Sequence, residues 1–99
     1  MSRQYDVVIV GGGVIGSSIA YRLASEGLNV SVIARDPLGS HASGYALGLL
    51  NPTTETGNIE SLNHQSFTMH QEILEVVQEE SGVDVQARAM PHIELALEE

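Results

Sequence analysis

The sequence predicts an α/β fold in which a βαβ unit with parallel strands is followed by a long helix and one further strand. Three observations carry the prediction. "YDVVIV", Tyr5 to Val10, is a short run rich in β-branched residues; three glycines follow it and open into apolar residues spaced at three and four; a second apolar run, "NVSVIA", comes within about 30 residues of the first. At 99 residues the chain is one domain or part of one.

The first run is continuous rather than alternating, as in a strand covered on both faces of a parallel sheet. From Val14 the helical pattern takes over through Ile15, Ile19, Ala20, Leu23 and Ala24, and Gly27 falls where a left-handed residue would end the helix. Asn29 to Ala34 forms the second strand, so strand, helix and strand make one right-handed crossover. Between Arg35 and Glu60 the residues Pro37, Gly39, Gly44, Gly48, Pro52 and Gly57 interrupt any long regular element. A second amphipathic helix is predicted from about Glu60 to Glu80. Leu62, Phe67, Ile73, Leu74, Val76 and Val77 are available to its buried side, and Gln71, Glu72, Glu75, Glu79 and Glu80 face outward. "HIELALEE" then alternates, as a half-exposed strand does.

Charge and composition exclude several classes of function. Thirteen acidic residues against four basic ones, none of them lysine, give a net charge of -9, which repels nucleic acid and acidic membrane faces. Ten of the thirteen carboxylates lie after Pro52, on what reads as a solvated face. Without cysteine there is no disulfide framework, thiolate nucleophile or cysteine zinc site. His64 and His70 are six apart, about 240° around a helix, so they do not share a face for a metal. Neither a basic and apolar leader nor a run of about 18 apolar residues is present. The expectation is a cytoplasmic protein with no membrane span.

The glycines carry the chemistry. Gly11-Gly12-Gly13-Val14-Ile15-Gly16 satisfies G-x-G-x-x-G between a strand and a helix, the context that gives this pattern its meaning. In a Rossmann-like unit Gly11 permits the sharp turn, Gly13 lets the main chain approach a pyrophosphate, and Gly16 allows close packing of helix on strand. The amides around Val14 and Ile15 then face the phosphates, backed by about half a unit of positive charge from the helix dipole. An acidic residue is expected about 20 residues further on to hold the ribose. That position is Ala34, followed by Arg35 and Asp36. Three alternatives stand: Asp36 holds the ribose, backbone and water do, or Arg35 meets a 2′-phosphate and favours NADP.

The second glycine cluster, "GSHASGYALGLLNP" from Gly39 to Pro52, together with the first motif resembles the D-amino acid oxidase superfamily of FAD-dependent oxidoreductases, of the glycine oxidase and sarcosine oxidase type. Ala42, Ser43 and Gly48 match that family's A-S-x-x-x-x-G loop. The resemblance implies that Ser43 and Gly44 approach the pyrophosphate of FAD, and that Gly48, Leu49 and Leu50 run near the flavin ring. The family usually has Glu where this chain has Ala34. Where some members attach FAD through a histidine, this chain has Tyr45, so covalent attachment is not expected. His41 lies in the same loop and reads either as a solvated side chain or as a group within reach of the cofactor.

The resemblance further implies that residues 1–88 are the amino-terminal FAD-binding portion and that 89–99 begin a substrate domain, the chain being much shorter than family members. The expected function is therefore the FAD-binding portion of an oxidoreductase. Hydride would pass to FAD from the carbon next to the nitrogen of a small-molecule amine or amino acid, with no catalytic residue and no metal ligand assigned within these residues. A substrate pocket would need a carboxy-terminal region, a partner chain or an oligomer. The alternatives are an NAD(P)-dependent dehydrogenase and a non-catalytic module that uses the acidic second helix for assembly.

Overall fold

The computed structural model describes residues 3–51, 57–93 and 95. The chain divides between Gly48 and Leu49 into two compact units.

The first unit is the βαβ arrangement the sequence predicts. β1 (Val7–Val10) and β2 (Val30–Ile33) pair in parallel, with Val7 opposite Val30 and Val10 opposite Ile33. Both strands are shorter than their apolar runs. At the entry to β1, the Asn29 carbonyl accepts from the amides of Asp6 and Val7, and the Asn29 amide donates to Asp6 Oδ2 at 2.8 Å. At the exit, the Gly11 amide donates to the Ile33 carbonyl at 2.8 Å, so the glycine turn leaves the sheet at the last rung of the ladder.

α1 (Val14–Ser25) connects the two strands and packs on both. Its end is built by Gly27, whose φ of +88° is one that L side chains rarely adopt. The amides of Gly27 and Leu28 reach back to the carbonyls of Ala24 and Leu23, closing the last turn with a pair of backbone bonds. Half-buried positions on α1 are Gly16, Ala20, Tyr21 and Leu23. The expected stripe through Ile15 and Ile19 is corrected: these residues are 75% and 47% exposed. The helix is apolar over a wider arc than two strands can cover.

Side chains on a strand alternate between faces. Val7 and Ile9 are half-buried, and Ile9 lies beside Gly16 of α1; Val8 and Val10, on the opposite face, are 53% and 84% exposed. No hydrophobic side chain among the described residues is fully buried. The first unit therefore has one covered and one uncovered sheet face.

The second unit contains α2 (Glu60–Ser81), within one residue of its expected end, with Gly82 at its C-cap in the left-handed region. Phe67, His70, Ile73, Leu74 and Val77 are half-buried. Leu62 and Val76, expected on the same side, are exposed. Residues 82–93 and 95 carry no helix or strand; the Val85 amide folds back to Gln78 Oε1 at 3.2 Å. Of the strand expected over 92–99, residues 92, 93 and 95 are thus irregular, since a strand requires a neighbour to pair with. Its other residues lie outside the described ones.

Candidate functional site

Where β1 and β2 both end, the chain turns away at Gly11 and at Ala34, and the loop from Pro37 to Ser43 comes back across the opening. Between them lies a cleft of about 560 Å³ whose walls include Gly11, Gly12 and Gly13 on one side and residues 34–37 and 39–43 on the other.

Each glycine of the turn answers a different demand. Gly11 has φ +112°, and only glycine adopts that turn without strain. At Gly16 the constraint is space: a Cβ there would overlap the Gly11 carbonyl oxygen and lie 3.4 Å from Ile9 Cγ2. Gly13 is the N-cap of α1, with extended backbone and no side chain to bond the free amides of the first turn. That role passes to a residue 29 positions beyond Val14. Ser43 Oγ accepts the Val14 N–H at 2.8 Å and lies 3.0 Å from where a Gly13 Cβ would be. Ser43 thus caps the helix from another loop. Ser43→Ala is expected to destabilise the first unit by about 1 kcal/mol through loss of that acceptor, and Ser43→Thr to restore most of it. Urea midpoints of the three proteins check this.

The residues expected to hold a cofactor divide in the structure. Gly11, Gly13, Ala34, Arg35 and Ser43 all line the cleft. Val14, Ile15 and Gly16 are the first three residues of α1, directly behind it. Gly44, Gly48 and Leu49 are not among its lining; Gly48 closes the first unit and Leu49 opens the second. Gly44 serves the loop itself, for a Cβ there would overlap the Gly39 carbonyl oxygen.

Sequence reasoning missed a charged cluster on the cleft wall. Asp36 Oδ2 accepts from His41 Nε2–H at 2.7 Å and from Arg35 Nε–H at 3.0 Å. A carboxylate only accepts, so the imidazole nitrogen facing it carries the proton. Arg35 is thereby tied to its neighbour, which weighs against its waiting for a 2′-phosphate. The five-residue spacing of Asp36 and His41 across Pro37 and Gly39 was the available signal, because a tight loop there returns the second side chain to the first.

The two bonds to Asp36, that from His41 first and that from Arg35 second, hold its carboxyl below the ordinary carboxylate value. A depressed folded value means that Asp36 contributes stability at pH above its unfolded value, and that this is lost as pH falls through the lower folded one. Asp36→Asn is therefore expected to lower stability at neutral pH and to flatten the acid limb below about pH 4, the two proteins converging at low pH. Thermal midpoints measured across the acid range for both proteins test it.

A parallel βαβ unit whose glycine turn brings bare backbone and the start of a helix to the rim of a cleft defines a Rossmann-like dinucleotide-binding protein. Residues 6–99 match the DAO family, described as FAD dependent oxidoreductase, and the chain belongs to that family. It is 35% identical over 88 residues to a glycine oxidase of Geobacillus kaustophilus, covering 86% of this chain and 23% of that protein. With a glycine oxidase of Bacillus subtilis the identity is 34% over 104 residues, covering 100% of this chain and 28% of the relative. A glycerol-3-phosphate dehydrogenase of Pseudomonas tolaasii is 34% identical across 75% of the chain and 14% of its own length. The chain thus spans about a quarter of the length of the glycine oxidases it matches. No solved structure matches it. The family's cofactor is FAD, and the residues present fit a dinucleotide: bare backbone at Gly11 and Gly13, and helix amides behind an open cleft. No helix among the described residues is long and apolar enough to cross a membrane.

Proposed function

We propose that this chain holds the nucleotide half of FAD in an oxidoreductase that oxidises the C–N bond of an amino acid or secondary amine. The observation that carries the reading is the glycine turn at the mouth of α1, left open by Gly13 and walled by the Ser43 loop. The amine substrate is supported by similarity to two glycine oxidases over most or all of the chain. The chemistry that FAD would supply when bound is acceptance of hydride from the carbon beside the substrate nitrogen, which would leave an iminium for water to hydrolyse. The chain's own residues do the holding: Gly11 and Gly13 bring backbone to the diphosphate, and the α1 amides with Ser43 offer it hydrogen bonds.

In this reading residues 1–88 belong to the FAD-binding portion and 89–99 open the substrate portion. The rest of the sheet and the amine pocket come from segments beyond these 99 residues, in the same chain, a partner or a second copy. The uncovered face carrying Val8, Val10 and Ile33 supports that completion, because parallel sheets are ordinarily covered on both sides.

Titration of the protein into FAD tests the proposal. Saturable quenching of flavin fluorescence, and a yellow protein after desalting, are expected. Binding of NADPH with no response to FAD would replace this reading with a nicotinamide-dependent one.

A further inference from the structure

We propose that His41 and Asp36 form a latch that positions the Ser43 loop against the start of α1 and so sets the affinity of the cleft for FAD. The latch presupposes that the cleft binds FAD and adds a positioning pair to it. Asp36 is three residues past the end of β2 and so is placed by the sheet, whereas His41 sits in the loop two residues before Ser43. Their 2.7 Å bond joins the loop to the strand end.

The same histidine holds the turn that presents Ser43. Its carbonyl accepts the amides of Gly44 at 2.9 Å and Tyr45 at 3.3 Å. Residues 41–45 are therefore a closed turn, anchored at its first residue by the imidazole and at its third by the bond from the Val14 N–H. A third attachment, from the Gly39 amide to the Gly12 carbonyl at 2.9 Å, ties the preceding residues to the glycine turn. Of these three, the Asp36–His41 bond is the one made by two side chains across the loop, and Arg35 is the other side chain bonded to the carboxylate. Without it, the turn keeps its own backbone bonds but loses its link to β2, so Ser43 spends less time over the helix mouth. An ordered loop binds more tightly because less ordering is left for the ligand to impose.

The test compares FAD dissociation constants, from flavin fluorescence, for the full chain and its variants His41→Ala, His41→Gln, Asp36→Ala and His41→Ala with Asp36→Ala. His41→Ala is expected to weaken binding about fivefold, the size of one hydrogen bond to a carboxylate at an exposed site. His41→Gln, whose amide N–H replaces the imidazole donor, should recover most of that loss. In the Asp36→Ala background, removing His41 should cost nothing further. Hydrogen exchange at the Val14 amide, measured without FAD, should accelerate in His41→Ala and not in His41→Gln. If Asp36→Ala weakens binding while His41→Ala binds like wild type, Asp36 meets the ribose itself and there is no latch; additive losses in the double variant overturn it equally. Should wild type fail to bind FAD, the assignment of the cleft to FAD falls, and the Val14 exchange rates alone decide the latch: unchanged rates in His41→Ala reject it.

Discussion

Gly16→Ala is expected to lower the stability of the first unit by about 2 kcal/mol, and to abolish FAD retention with it. Two effects oppose each other. Alanine is favoured over glycine inside a helix by about 1 kcal/mol, which would argue for a gain. Against it, the added methyl would overlap the carbonyl oxygen of Gly11 and sit 3.2 Å from its carbonyl carbon. That neighbour is backbone, held in place by the bond from the Gly11 amide to the Ile33 carbonyl, and it has no rotamer to escape into. Helix and strand must separate, and overpacking of this kind costs about 3 kcal/mol. The clash outweighs the propensity. With no fully buried hydrophobic side chain among the described residues, the remaining margin is small.

Gly12→Ala is the control that makes the explanation specific. Its methyl would overlap Leu38 Cδ2 and lie 3.1 Å from the Ala34 Cβ. Leu38 is 69% exposed and its side chain can turn into solvent, so a loss of about 1 kcal/mol or less is expected. Thermal unfolding separates the two, since each kcal/mol moves the midpoint by about 4–8 °C in a domain of this size. Equal midpoints for Gly12→Ala and Gly16→Ala would refute the clash between helix and backbone turn as the source of the loss.

The contrast between these glycines marks how far the sequence could be read. Gly11, Gly13 and Gly16 were legible because a strand before them and a helical period after them leave few backbones that fit, and both strands and both helices followed from the same local patterns. The C-terminus of α1 was visible in Gly27. What local pattern could not supply was the partner of each surface. Ile15 and Ile19 read as buried by period alone, yet burial depends on how many strands lie beneath a helix. Residues 92, 93 and 95 alternate with their neighbours like a strand, but alternation makes no ladder without a second strand. In the site, Ser43 was placed near the diphosphate only through a family resemblance. Its use as the cap of α1 joins residues 29 apart, and no local period encodes such a bond.

Gly13→Val separates binding from folding, which Gly16→Ala does not. Gly13 has φ -80° and ψ -175°, an extended conformation open to any residue and congenial to a β-branched one. The fold should therefore tolerate the change. The nearest obstacle is Ser43 Oγ, 3.0 Å from the new Cβ, so the loop must give by a few tenths of an ångström and the bond from the Val14 N–H lengthens. A loss of about 1 kcal/mol in stability covers the weakened cap. Binding should suffer far more. Three carbon atoms would stand where bare backbone faces the cleft, holding a diphosphate away from the α1 amides, and charge-assisted hydrogen bonds to such a group are among the stronger ones. FAD affinity is expected to fall about 100-fold, equivalent to about 2.7 kcal/mol, while far-UV circular dichroism stays like wild type and the urea midpoint falls no further than in Ser43→Ala. A Gly13→Val protein that binds FAD within a factor of about three of wild type would show that the diphosphate is held elsewhere, and would remove the glycine turn from the cofactor site.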